Sequence, residues 1–106
     1  MRCKGFNGDA VYPEDCKAMI ETALNFYGCL NVLVNNIGFG LSNSRSNTSR
    51  SVGITKIDDR EWDDALDMKL KSAMLASRVS IPEISKTGGC SIINISSCDA
   101  FFSGDH

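Results

Sequence analysis

The stretch NVLVNNIGFG, from Asn31 to Gly40, decides how the rest of the chain is read. Val32, Leu33 and Val34 favour a strand, whereas the two adjacent asparagines and the glycines that follow favour a turn or a site. The short, mostly apolar run from Leu30 to Val34 has the form of a strand covered on both faces in a parallel sheet. Parallel strands need crossover connections, so helical periodicity is expected on either side.

Upstream, Pro13 suits an early helical position, and Glu14 and Asp15 place negative charge on a first turn. Cys16, Met19, Ile20, Ala23, Leu24 and Tyr27 follow at helical spacing, and Gly28 supplies a stop. Downstream, Asp58 followed by Glu61 has the form of a capping box. Trp62, Ala65, Leu66, Leu70 and Ala73 continue as a helical stripe, which predicts a longer helix starting near Asp59. Pro82 is expected to kink or end that helix, with Gly88 and Gly89 completing the break. The run CSIINIS, Cys90 to Ser96, with Ile92, Ile93 and Ile95, then reads as a second buried strand. Helix, strand, helix, strand is the order of an α/β layer with a parallel sheet. The segment Cys3 to Phe6 is a weaker candidate for an incoming strand, because it contains Lys4 and Gly5.

Between the first strand and the second helix, Phe39 to Gly53 is polar, rich in Ser and Asn, and without periodicity. A flexible loop over 39–57 is expected, long for a connection inside a compact domain and so either a substrate lid or an insertion. Arg45 and Arg50 within it read as solvated loop charges.

The whole chain bounds the function. Its 106 residues make one domain at most, and an apolar content of 42%, a charged content of 23% and a net charge of -2 describe an ordinary globular protein. That balance gives no electrostatic reason to expect nucleic acid or an anionic membrane as partner. The N-terminus MRCKGFNGDA has no apolar core of a signal peptide and no later stretch approaches a membrane span, so a cytoplasmic protein is expected. Cys3, Cys16, Cys29, Cys90 and Cys98 are odd in number, with no CxxC pair to make a zinc or redox site.

In an open parallel sheet, ligands bind beyond the carboxyl ends of the strands. Three such places carry polar or permissive residues: Asp9, the turn Asn35-Asn36-Ile37-Gly38, and Ser96-Ser97. Taken singly, each is a turn or a cap. Together, in this order, they resemble the short-chain dehydrogenase/reductase family over essentially the whole chain, which matches only the middle of that family's usual length. GDA at Gly8 to Ala10 is similar to the acidic position that contacts the adenine ring, NNIG at Asn35 to Gly38 to the family's NNAG turn, and GCSIINISS at Gly89 to Ser97 to the strand that ends in the catalytic serine. EWDDALDMKLKS, Glu61 to Ser72, resembles the helix between them, and IPEIS its Pro-containing end.

The resemblance implies a partial Rossmann-like, doubly wound parallel sheet over residues 1–106, with the third to fifth strands of the family fold and their intervening helices. It implies hydride transfer between NAD or NADP and a small-molecule carbonyl or alcohol, in a parent that is a homo-oligomer. By resemblance, Asp9, Ala10, Asn36, Ile37 and Gly38 are cofactor-binding residues, and Ser97 is the catalytic hydroxyl that bonds the substrate oxygen. The Asn35 and Asn36 amides then fasten the central strand to its neighbours, while backbone near Gly38 approaches the ribose.

Three features depart from the family. No tyrosine and lysine follow Ser97 at the usual distance, and Tyr12 and Tyr27 belong to the first helix instead. No glycine-rich turn for the pyrophosphate precedes Asp9, so poor cofactor affinity is expected. Lys69 stands where this helix usually carries an asparagine that holds a water of the proton relay; on an apolar stripe its charge either snorkels outward or is lost to desolvation. The isolated chain is therefore expected to be inactive and marginally folded, as a fragment of such an enzyme. The alternative is a non-catalytic protein that binds a partner through an exposed sheet edge. A hydrolase built on Ser97 is disfavoured, because the only histidine is His106 and no nucleophile elbow surrounds the serine.

Overall fold

The computed structural model describes residues 2–37, 55–89 and 91–96. Helix α1 runs Pro13–Tyr27, strand β1 Val32–Asn35, helix α2 Asp59–Leu66, helix α3 Ser72–Ser85 and strand β2 Ser91–Asn94. A single wider turn of π-helix, Asp67–Lys71, joins α2 to α3, so one helical rod extends from Asp59 to Ser85.

Local chemistry accounts for the boundaries. Pro13 sits in the first turn of α1, where a missing N–H costs nothing, and Gly28 ends the helix at φ 87°, its N–H donating to the Leu24 carbonyl at 2.8 Å. At the start of α2 the Asp58 carboxylate accepts from the Glu61 N–H at 2.7 Å while Glu61 Oε2 accepts from the Asp58 N–H at 3.2 Å, so the capping box closes as expected.

Of the two outcomes expected at Pro82, a kink or an end, the helix does not end there and continues to Ser85. The carbonyl that Pro82 deprives of a donor belongs to Arg78, and both residues are exposed. The break comes at Gly88, with φ 81°.

β1 and β2 pair in parallel, with Val32 opposite Ser91, Leu33 opposite Ile92, Val34 opposite Ile93 and Asn35 opposite Asn94. This is the α/β order expected, with two corrections. The segment Cys3 to Phe6 forms no strand; it is exposed and held instead by its neighbours at the end of α1, where Tyr27 Oη donates to the Arg2 carbonyl at 3.2 Å and the Arg2 guanidinium lies 5.2 Å from the Phe26 ring centre. The strands, expected to be covered on both faces, are covered on one. Leu33, Ala76 and Ile84 form the core between β1 and α3, with Leu30 and Ile92 packed against them. Val32, Val34 and Ile93 on the other face, and Ile95 beyond β2, are 49%, 53%, 44% and 55% exposed. No described residue covers them.

α1 packs against α3, and Cys16, Ile20 and Leu75 are buried on these two helices. The stripe expected along the second helix divides. Ser72, Leu75, Ala76, Ser80 and Ile84 are buried, whereas Trp62, Leu66 and Leu70 face outward. Lys69 is exposed, so of the two outcomes open to a lysine on that helix, the solvated one holds. Of the expected loop 39–57, residues 39–54 lie outside the described residues.

Candidate functional site

Short connections fix which residues converge. Four residues, Gly28 to Asn31, link α1 to β1, and a similar link joins α3 to β2. α3 runs back along β1, with Ile84 in the cluster around Leu33 and Ser77 at Asn35, so its earlier turns lie toward the ends of the two strands. The Asp9 turn immediately precedes α1.

At the strand ends the alternation of a β-strand separates the two asparagines. Leu33 and Asn35 share the face toward α3. Asn35 Nδ2 donates to Asn94 Oδ1 at 2.9 Å and to the Ser77 hydroxyl of α3 at 3.4 Å, so one amide group ties β1 to β2 and to the helix beneath. The Ile95 N–H donates to the Asn35 carbonyl at 3.0 Å and extends the ladder one step past β2. Asn36 and Ile37 are exposed, on the strand's exit. The chain leaves β2 through Ile95 and Ser96 directly beside them, and Ser97 is the next residue. Ser97 itself and Gly38 lie outside the described residues.

At the start of α1, Asp9 folds an Asx turn: its Oδ1 accepts the Val11 N–H at 3.1 Å, and its carbonyl accepts the Tyr12 N–H at 3.1 Å. Asp9 and Ala10 are half-buried. The Cys16 thiol donates to the Ala10 carbonyl at 3.3 Å and is 1% exposed. Burial, reinforced by the carboxylates of Asp15 and Asp9, raises the thiol's pKa and keeps it a protonated donor.

Asn35 has the fastening role expected of it, whereas Asn36, expected to share that role, is exposed; sequence reasoning missed the contributions of Asn94, Ser77 and Asp15. A signal for Asn94 was present: LVN at Leu33 to Asn35 and IIN at Ile92 to Asn94 are the same apolar, apolar, amide triplet, which parallel pairing places in register. Among the described residues no cluster of His, Cys, Asp or Glu is built to hold a metal ion, and no helix is long and apolar enough to cross a membrane.

A family model described as short chain dehydrogenase matches residues 1–106. The 7alpha-hydroxysteroid dehydrogenase of Bacteroides fragilis is 33% identical over 84 residues, which are 79% of this chain and 30% of that protein. The 3-oxoacyl-acyl-carrier-protein reductase of Staphylococcus aureus is 32% identical over 84 residues, again 79% of this chain and 30% of the relative. Among solved structures, the ligand-free aldohexose dehydrogenase of Thermoplasma acidophilum aligns with a TM-score of 0.75 at 30% identity, over 90% of this chain and 34% of that one. The chain thus spans 30% to 34% of the length of these relatives.

Proposed function

Because the chain belongs to the short-chain dehydrogenase/reductase family, we propose that it is the central part of an NAD- or NADP-dependent oxidoreductase acting on a carbonyl or alcohol. The cofactor, when bound, supplies hydride exchange with the substrate carbon. Ser97 is the residue that bonds the substrate oxygen, and Asp9, Ala10, Asn36, Ile37 and Gly38 face the cofactor. The observation that supports this reading is the Asn35 amide, which holds the ends of β1 and β2 together, so that the exits at Asn36 and at Ile95 begin side by side.

The residues present fit one end of the dinucleotide. Asp9 is a half-buried carboxylate whose turn is fixed by three hydrogen bonds, a suitable acceptor for an exocyclic amine. The 106 residues contain no glycine-rich turn for a pyrophosphate and no Tyr-x-x-x-Lys. By themselves they are expected to bind the cofactor weakly and to turn over no substrate. The relatives' names cover a hydroxysteroid, a 3-oxoacyl group and an aldohexose. Only the carbonyl or alcohol class is common to them, and only that class is carried over. A cytoplasmic, homo-oligomeric parent completes the reading.

Sequencing the transcript on both sides of this reading frame tests it. A glycine-rich βαβ in frame upstream and a Tyr-x-x-x-Lys in frame downstream support a working dehydrogenase with Ser97 in its catalytic role; stop codons in both flanks refute it. A second reading, a non-catalytic protein that binds a partner through its sheet, draws on the exposure of Val32, Val34 and Ile93. A defined complex of the isolated chain on size exclusion favours that reading, and a monomer opposes it.

A further inference from the structure

The two residues assigned to the adenine side of the cofactor are anchored from outside their own turn. The Asp9 N–H donates to Asp15 Oδ2 at 2.9 Å, and the Ala10 carbonyl accepts from the Cys16 thiol at 3.3 Å. Consecutive side chains of the first turn of α1 thus grip consecutive residues of the loop. We propose that Asp15 is a positioning residue that holds the Asp9–Ala10 turn in the form that receives an adenine ring, with Cys16 as its second point of attachment; this rests on the cofactor reading above.

The physical case has three parts. First, a carboxylate accepting a backbone N–H makes a charge-assisted bond, stronger than one between neutral groups. Second, the Tyr12 cap residue offers no side-chain bond to the start of α1, so Asp15 at the third helical position serves the chain before the helix and also places its charge at the favourable end of the helix dipole. Third, the Asp9 carboxylate can meet an exocyclic amine only while the turn keeps its shape, and any fraction of molecules in which the turn opens weakens the apparent affinity in proportion. The Asx bond from Val11 orients the Asp9 side chain within the turn, and Asp15 fixes the turn to the helix. If Asp15 acted only as a helix-terminal charge, its removal would loosen α1 and leave the Asp9 amide no worse than its neighbours.

The test is amide NMR on the full 106-residue chain with adenosine monophosphate as the probe. In the wild type the Asp9 amide exchanges with solvent more slowly than the exposed Gly8 amide, and the probe shifts the Asp9 and Ala10 resonances. Asp15→Ala is expected to raise Asp9 exchange and to weaken binding of the probe by about tenfold, the worth of one hydrogen bond to a charged group, while Ile20 exchange is unchanged. Asp15→Asn keeps an acceptor oxygen and is expected to restore most of the affinity. If the wild type binds the probe and Asp15→Ala binds it equally well, the positioning role is overturned and the cofactor reading stands. If the probe leaves Asp9 and Ala10 of the wild type unshifted at millimolar concentration, the positioning role is overturned, whereas the cofactor reading of the parent stands or falls on the flanking sequence. Should Asp15→Ala not fold, the wild-type exchange rates still decide: an Asp9 amide as fast as Gly8 overturns the proposal.

Discussion

Replacing Val34 by lysine is expected to leave the isolated chain as folded as before, while replacing its neighbour Leu33 by alanine is expected to unfold it. Leu33 is 8% exposed and packs against Ala76 and Ile84, so Leu33→Ala removes buried methyl groups and leaves a cavity, a loss of about 2 to 5 kcal/mol. Only Cys16, Ile20, Leu33, Leu75, Ala76 and Ile84 are buried apolar residues among those described, which places the chain at or below the lower end of the usual stability of about 5 to 15 kcal/mol. A loss of that size consumes most of what holds it. Val34 is 53% exposed and its outward neighbour across the ladder, Ile93, is 44% exposed, so a lysine there reaches water directly. Its cost is confined to strand preference and lost apolar contact, within about 1 kcal/mol. Far-ultraviolet circular dichroism and amide NMR dispersion of both variants give the answer. If Val34→Lys is as damaging as Leu33→Ala, that sheet face is covered in the isolated chain and the one-sided core is wrong.

Asn35→Ala and Asn94→Ala are each expected to cost about 1 kcal/mol, and the double variant little more, because both remove the same bond; amide exchange at Ile95 measures the coupling. Asp58→Ala removes the acceptor of the Glu61 N–H, one half of the capping box, and should destabilise the start of α2 by about 1 kcal/mol, read as faster exchange of the Glu61 amide. The raised pKa of Cys16 makes the folded state hold its proton above the pH at which the unfolded thiol releases it. The stabilisation is complete below the unfolded thiol's pKa and is lost as the pH rises through the folded value, so urea midpoints should fall in that alkaline window in the wild type and stay flat in Cys16→Ala. At neutral pH a thiol reagent should modify exposed Cys3 and Cys29 before buried Cys16.

The helices were legible because their ends carry their own chemistry: Pro13 and Gly28 bound α1, and Asp58 with Glu61 opens α2. The parallel pairing was legible from the alternation of helix and strand. What covers each strand was not, because an apolar run records what its residues prefer and not which segments are present to satisfy them; Val32, Val34 and Ile93 read as buried and stand exposed. That Pro82 lies inside α3 rather than at its end was not legible either, because a proline's residue type alone does not separate a kinked helix from a finished one. The wider turn Asp67–Lys71 left no mark in the residue pattern. Asp9, Asn35 and Asn36 were visible as polar residues at element ends, and the matching LVN and IIN triplets marked Asn94, whereas Ser77 and Asp15 act through reach, which sequence spacing does not encode.

The two adjacent amides of the opening stretch perform different work, and the geometry explains why both are asparagine. Strand alternation puts Asn35 on the face of Leu33, where a polar side chain must find partners or pay for desolvation. Both hydrogens of its amide can be used there, one toward Asn94 across the ladder and one toward Ser77 below, so Asn35 is committed to architecture. Aspartate could not donate these bonds, and an apolar residue would fill the face but leave β1 and β2 joined by backbone alone where the site begins. One residue later the direction reverses, and Asn36 is exposed beside the exit of β2. A single residue's step along the strand thus separates an amide that holds the sheet from one that stands exposed at its end, and only the second is free of the sheet face in the cofactor-binding role proposed for it.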